Sequence, residues 1–366
     1  MAVDELAGAG TYYLDTEFDS SKHGKQLSLI QLSRGDESYV IDVLQLPSIE
    51  PLANALFHPD ALWVLHAGLQ DVELLLAELD RPAPPRLFDT QIAWGMTGPE
   101  ASVSLAFLQF KLLGVRSTKS HQADDWLRRP LPEAQLAYAA RDIAHLPALE
   151  RALRERLSAL GREHLVNDVS AELLLPRPVT PTPLGIDSFR NAWQLEAEGH
   201  AALLSLIDWY NALPEPERAR TPAKTLLSVA SRMPPTVKEL SRIKGVSPQL
   251  ARSHGPAIVA LVKQAARAAR AGTFAALEPQ AYASFEDYRA EARLNLARIE
   301  VCAELSIAPD LALPMGLVRR MLARIKANGR LSTGAEELTG WRAELVKPTF
   351  LAHAARLDAY ARGPLR

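Results

Sequence analysis

Four prolines fall within the twelve residues LLPRPVTPTPLG (174–185). Each ring fixes φ and removes an amide donor, so neither a helix nor a central strand can run through the stretch. It reads as a stiff connector, and it divides a 366-residue chain that is too long for one ordinary domain. Ahead of it, residues 11–18, 27–33, 38–43 and 62–67 are short runs of Leu, Val, Ile and aromatics bounded by Gly, Asp and Pro, which predicts strands. The polar FDSSKHGKQ between the first two, with Gly24, suits a hairpin. From residue 68 the apolar period changes to that of helices, with Gly114 and Gly161 where C-caps belong and Pro132 at a helix start. Beyond the prolines the pattern is almost wholly helical: 187–211, 221–231, 235–243, 247–271 and a second group over 284–362, separated by LEPQAYASF (277–285). The expected organisation is an α/β domain over 1–167, a linker over 168–186, and helical domains over 187–274 and 284–366.

Charge follows the same division. Residues 1–170 hold 15 Lys and Arg against 24 Asp and Glu, a net −9, while residues 171–366 hold 26 against 19, a net +7. Within 232–270, Arg232, Lys238, Arg242, Lys244, Arg252, Lys263, Arg267 and Arg270 face a single acid, Glu239. An acidic half joined to a basic half fits a carboxylate site beside a polyanion-binding module; a solvated helical surface is the bland alternative for the basic segment. One cysteine, Cys302, excludes an internal disulfide framework. The acidic start MAVDELAGAG lacks the apolar core of a secretory signal, and no run of about 20 apolar residues offers a membrane span. A cytoplasmic protein with no membrane partner is expected.

The acids of the first half are placed informatively. Within TYYLDTEFDS, Asp15 and Glu17 sit two apart on a strand and share one face, roughly 6.5–7 Å apart along the backbone. Two like charges so close on a half-buried surface repel and resist desolvation. Either they are a solvent-facing pair at a sheet rim, or a divalent cation lies between them. Asp71 follows LWVLHA and opens a helix, where the helix dipole favours its charge. Glu73 is about 200° further round that helix and cannot share a site with Asp71. Tyr138 and Asp142 are i and i+4 on a later helix and point into the same space.

Taken in order, Asp15-x-Glu17, Asp71 and Tyr138-x-x-x-Asp142 resemble the DEDD superfamily of 3′–5′ exonucleases, in its tyrosine subgroup. LDTEF, LSLIQLS, LHAGLQDVELL, LFDTQIA, DDWLRRPL and YAARDIAHL, over roughly residues 10–160, are similar to the ribonuclease D family in order and spacing. The histidine subgroup, which includes polymerase proofreading subunits, has a His where this chain has Ala137. LLSVASRMPPTVKELSRIKGVSPQLARSHGPAIVALV resembles the helicase-and-ribonuclease-D C-terminal (HRDC) domain, with Arg252-Ser253-His254-Gly255 at its turn, and the segment around LSTGAEELTGWRAELV resembles a second, more divergent copy. The resemblance implies an α/β ribonuclease H-like exonuclease domain, a mixed sheet flanked by helices, followed by two all-helical HRDC-type domains. Only 14 residues precede Asp15, fewer than the family places there, so either the sheet lacks an edge element or the start lies upstream.

That family makes Asp15, Glu17, Asp71, Tyr138 and Asp142 the expected catalytic set, with the four acids holding two divalent cations, Mg²⁺ or Mn²⁺. Hard oxygen ligands suit those ions, and no clustered Cys/His set suggests zinc. Asp15, Glu17 and Asp142 would hold one ion, Asp15 with Asp71 the other, and Tyr138 would orient the attacking water. Nucleic-acid contacts are expected from Phe18, His66, Lys119, Trp126, Arg128, Arg129, Gln135, Arg232, Lys244 and Arg252. For Trp126, packing and base stacking both remain open, and His66 suits a supporting role better than metal ligation. Asp89 is expected to be a structural hydrogen-bond acceptor. The activity implied is exoribonuclease action by a monomer on RNA, at precursor tRNA 3′ ends and single-stranded 3′ tails. A DNA exonuclease and a non-catalytic RNA-binding scaffold are the rival readings.

Overall fold

A computed structural model of the chain describes residues 10–21, 24–34, 37–116, 124–175, 183–272 and 284–362. They fall into two compact units, Met1–Arg177 together with Phe285–Arg366, and Pro178–Ser284.

The first unit is built on a five-stranded mixed sheet of order β3-β2-β1-β4-β5, with β1 Thr11–Ser21, β2 Gly24–Arg34, β3 Glu37–Asp42, β4 Leu62–Leu65 and β5 Arg86–Asp89. β1, β2 and β3 are antiparallel neighbours, whereas β4 runs parallel to both β1 and β5. All four residues of β4, LWVL, are buried, as a parallel strand covered on both faces requires. β5 was not anticipated from the sequence. Four residues after Pro85 are too few to show a period of two, and three of them are buried. The β1–β2 turn at Lys22 and His23 lies outside the described residues.

Among the described residues, seven α-helices complete the segment before the proline run: α1 (Glu50–Leu56), α2 (Leu69–Glu78), α3 (Thr90–Gly95), α4 (Leu105–Leu113), α5 (Glu133–Ala144), α6 (Leu146–Ala159) and α7 (Val166–Leu174). The helical spacing running from Glu133 to Gly161 conceals a break at His145. Pro147 has no N–H to continue the ladder, so α5 ends and α6 restarts around it. The break lets α5 lie across β1, β2 and β3 while α6 packs elsewhere on the core.

Residues 285–362 are helical, as expected, and share one continuous core with the α/β segment. The Ala308 amide donates to Gly95 O at 2.7 Å. Glu172 on α7 accepts from Trp341 Nε1 at 2.7 Å and Arg342 Nη1 at 2.6 Å. Arg162, buried between the two segments, donates to Met96 O at 2.6 Å and to Leu305 O. Those carbonyls lie at helix ends, where backbone acceptors need outside donors.

The described residues of the second unit contain helices and no strand, with Ala197–Asn211, Lys224–Arg232 and Gly255–Arg270 closing on Leu203, Leu206, Val229, Ile258 and Val262. The run expected over 247–271 breaks at His254. Its ring meets Trp209 edge-on at 5.5 Å, and its Nε2 lies 2.9 Å from Glu217. Arg232, Lys244 and Arg252 are exposed there.

Removing the Arg162 guanidinium should loosen the contact between residues 285–362 and the sheet domain. Arg162→Met is expected to cost about 1–3 kcal/mol for each carbonyl left without a donor, read as a lower urea midpoint; an unchanged midpoint would show that water replaces the arginine freely.

Candidate active site

β1 carries the first two acids. In the antiparallel register Asp15 faces Gln31 and Glu17 faces Leu29, so the two carboxylates share a face, and the register then shifts between Glu17 and Phe18. The shift leaves Ser28 as an extra residue on β2, and its hydroxyl donates to Trp126 O at 2.6 Å. Asp71 arrives by a tight β4–α2 turn. Ala67 adopts φ +55°, and Gly68 is required because a Cβ there would stand 2.7 Å from Leu65 Cβ. The Gly68 amide donates to Asp89 at 2.8 Å, and Asp89 also caps α3 through the Gln91 and Ile92 amides. Asp89 is thus a structural acceptor. α5 then lays Tyr138 and Asp142 over the sheet, with the Tyr138 hydroxyl hydrogen-bonded to the Asp142 carboxylate.

Carboxylate oxygens of Asp15, Glu17 and Asp142 all lie within 4.8 Å of one another. Asp71 stands behind them, buried, accepting from the Thr16 hydroxyl at 2.5 Å. The Thr16 backbone amide serves both Asp15 and Asp71. Glu73 points away and pairs with Lys25 at 3.1 Å.

The electrostatics of this group are unfavourable throughout. Burial, then the charges of Asp71, Asp142 and Glu17, hold the Asp15 carboxyl well above the usual carboxylate range. Burial, with Asp142, Asp71 and Asp124, pushes Glu17 up to about 8. Burial raises Asp71 and Asp142 to about 6, against the Thr16 hydroxyl in one case and Tyr138 and Arg141 in the other. Burial and the Asp142 charge raise Tyr138 above its ordinary value, so it is a hydrogen-bond donor at neutral pH and not a base. No lysine or arginine among the described residues pairs with Asp15 or Glu17. Three converging carboxylates, of which only Asp142 has a nearby arginine, form a hard-oxygen donor set, and a divalent cation of the Mg²⁺ or Mn²⁺ kind fits it.

The acids open into a cavity of about 900 Å³ lined also by Phe18, His66, Tyr138, Arg116 and Arg141. His66 is pinned by Thr90 Oγ1 at 2.9 Å and Val103 O at 3.0 Å, and burial lowers its pKa, so it shapes the wall as a neutral ring. Three residues expected to touch nucleic acid are engaged otherwise. Trp126 is 2% exposed and packs 6.2 Å from the Tyr138 ring, which leaves no face for a base. Arg129 grips Asp42 through two 2.6 Å bonds and reaches Ser28 at 3.1 Å. Gln135 is buried and donates to Asp124 at 3.1 Å. Arg128 is exposed, and Lys119 lies outside the described residues. Sequence reasoning missed Arg116 and Arg141 as the cavity's basic residues. Arg141 adjoins Asp142 and could have been found from that; Arg116 has no such signal.

A sheet of this topology with this acidic cluster defines a 3′–5′ exonuclease domain, and the comparisons agree. The family model described as 3′-5′ exonuclease matches residues 2–158, and that for the HRDC domain matches residues 220–262. Ribonuclease D of Gluconacetobacter diazotrophicus is 31% identical over 353 residues, covering 93% of this chain and 86% of the relative. Ribonuclease D of Escherichia coli is 35% identical over 266 residues, covering 69% and 68%. The crystal structure of E. coli RNase D, "an exoribonuclease involved in structured RNA processing", superposes with a TM-score of 0.66 at 26% identity, over 97% of this chain and 96% of that one. The chain belongs to the ribonuclease D family. The HRDC match lies within the second unit.

Because these carboxyls bind protons more tightly folded than unfolded, unfolding releases protons between about pH 4 and pH 8. Their contribution to stability therefore falls as pH rises through that window. In EDTA the thermal midpoint should decline from pH 5 to pH 8.5 more steeply than that of Glu17→Gln, and Mg²⁺ should restore more at pH 8 than at pH 6. Parallel profiles for wild type and variant would contradict the assigned repulsion.

Proposed function

We propose that the protein is a metal-dependent 3′–5′ exoribonuclease that hydrolyses phosphodiesters at RNA 3′ ends, releasing 5′-mononucleotides, and that precursor tRNAs are among its substrates. The observation that carries this reading is the convergence of Asp15, Glu17 and Asp142. Asp15, Glu17 and Asp142 would hold one cation, and Asp15 with Asp71 a second. Such ions, when bound, neutralise charge on the phosphate and lower the pKa of water. Tyr138, kept protonated, donates its hydroxyl and orients the group beside Asp142. Arg116 and Arg141 supply positive charge on the cavity wall for the phosphates of the strand. In the second unit, exposed Arg232, Lys244 and Arg252 are suited to the body of the RNA. The substrate class follows from the relatives, which are ribonucleases D, and from the structured-RNA processing attributed to the E. coli protein.

Asp15→Ala or Asp142→Ala should abolish shortening of 5′-labelled RNA while the circular dichroism spectrum stays native; either variant at full rate removes that acid from the site. Tyr138→Phe should keep the metal-induced rise in melting temperature and lower kcat by about 10²–10³-fold, the range for losing one positioned donor. Wild-type turnover would exclude the hydroxyl from the reaction. Side-by-side digestion of a precursor tRNA and a matched single-stranded DNA distinguishes the RNA reading from DNA repair activity.

A further inference from the structure

Gln31 is fully buried on β2, and neither its Nε2 nor its Oε1 has a hydrogen-bond partner among the described residues. Its place in the ladder defines what it can reach. In the β1–β2 register Gln31 stands directly opposite Asp15, and in the β2–β3 register it stands opposite Val40. Directly opposed side chains project from the same face with Cβ atoms roughly 4.5–5.5 Å apart. α5 covers this face, bringing the apolar Ala139 and Tyr138 against Leu29, the next residue of β2 on that side. Of the two residues that face Gln31 directly, only Asp15 is polar.

An amide orphaned at both ends weakens a fold, and an apolar side chain of the same length would fill the position without that cost. Such a group in a native interior calls for a partner that the protein alone does not supply. Carboxylates that ligate cations are commonly oriented by a further donor behind them, and loss of that donor weakens metal binding by 10–100-fold. Asp15 is crowded by Asp71, Asp142 and Glu17, and the Thr16 backbone amide is the favourable contact it has against them.

We propose that Gln31 is a positioning residue for Asp15: its side-chain amide donates to the Asp15 carboxylate when the site is loaded with cation, and fixes that carboxylate as a ligand. The proposal rests on the metal-dependent reading of the site given above. Gln31 touches neither substrate nor reacting atoms and acts only through Asp15.

The test uses Gln31→Met, which keeps the length of the side chain and removes both polar ends, with thermal unfolding of the full chain in EDTA and across a Mn²⁺ titration. The midpoint in EDTA should be unchanged or higher, because the orphaned amide is gone. The Mn²⁺ concentration giving half of the metal-induced shift should rise about tenfold or more, and the Mn²⁺ concentration for half-maximal RNA cleavage should rise with it. Gln31→Asn, which keeps the amide but withdraws it by one methylene, should fall between wild type and Met, and carries the comparison if the Met variant does not fold. A lower midpoint in EDTA with an unchanged Mn²⁺ requirement makes Gln31 a packing residue and overturns the proposal alone. If the wild-type protein shows no Mn²⁺-induced shift, the metal reading fails and the proposal falls with it.

Discussion

Repulsion among carboxylates governs this molecule's active end. Asp15 and Glu17 are placed on one strand face by the two-residue period of β1, and Asp142 is brought down on them by α5, until their oxygens lie within 4.8 Å of one another. A fold that needed only stability would not assemble like charges in a half-buried pocket. The core must outweigh the resulting strain, and it does so with a deeply packed layer: Tyr12, Leu14, Trp63 and Phe88 on the strands, Leu149 and Leu153 on α6. A bound cation turns the same repulsion into a binding energy, because each acid that resists ionisation alone gains most from a positive neighbour.

The apparatus that holds the acids in place is polar and local. The extra residue Ser28 on β2 fastens the Trp126 carbonyl, Arg129 ties the same loop to Asp42 on β3, and Trp126 in turn packs beside Tyr138. The loop preceding α5 is therefore bolted to the edge of the sheet, and the position of Tyr138 and Asp142 follows from it. On the other flank, Gly68 and Asp89 fix the turn that delivers Asp71. These contacts explain why LSLIQLS, DDWLRRPL and LFDTQ accompany the acids in the sequence: they build the frame that holds the carboxylates together.

Much of this frame could be read before the coordinates. Runs of Leu, Val, Ile and aromatics bounded by Gly, Asp and Pro marked β1 to β4, and the i, i+4 spacing was enough to put Tyr138 and Asp142 on one helix face, because both signals are local properties of the chain. The dipole argument also placed Asp71 in the first turn of its helix. What could not be read depended on partners far away in sequence. Trp126 looks equally suited to stacking and packing until β2 and Tyr138 are seen on either side of it. Arg129 looks like a phosphate ligand until Asp42, 87 residues away, is found in its grip. Residues 285–362 look like an independent helical domain, yet Arg162, Glu172 and Gly95 draw them into the nuclease core. β5 and the breaks at His145 and His254 escaped because a four-residue strand has too few positions to establish a period and a single-residue break leaves the flanking helical spacing intact.

In the function proposed above, this acidic cluster exists to hold divalent cations. Anomalous diffraction from a crystal of the protein soaked in Mn²⁺ at millimolar concentration tests it most directly. Strong peaks are expected among the carboxylates of Asp15, Glu17 and Asp142. A well-ordered site with no anomalous density there, under conditions in which RNA is being shortened, would contradict it.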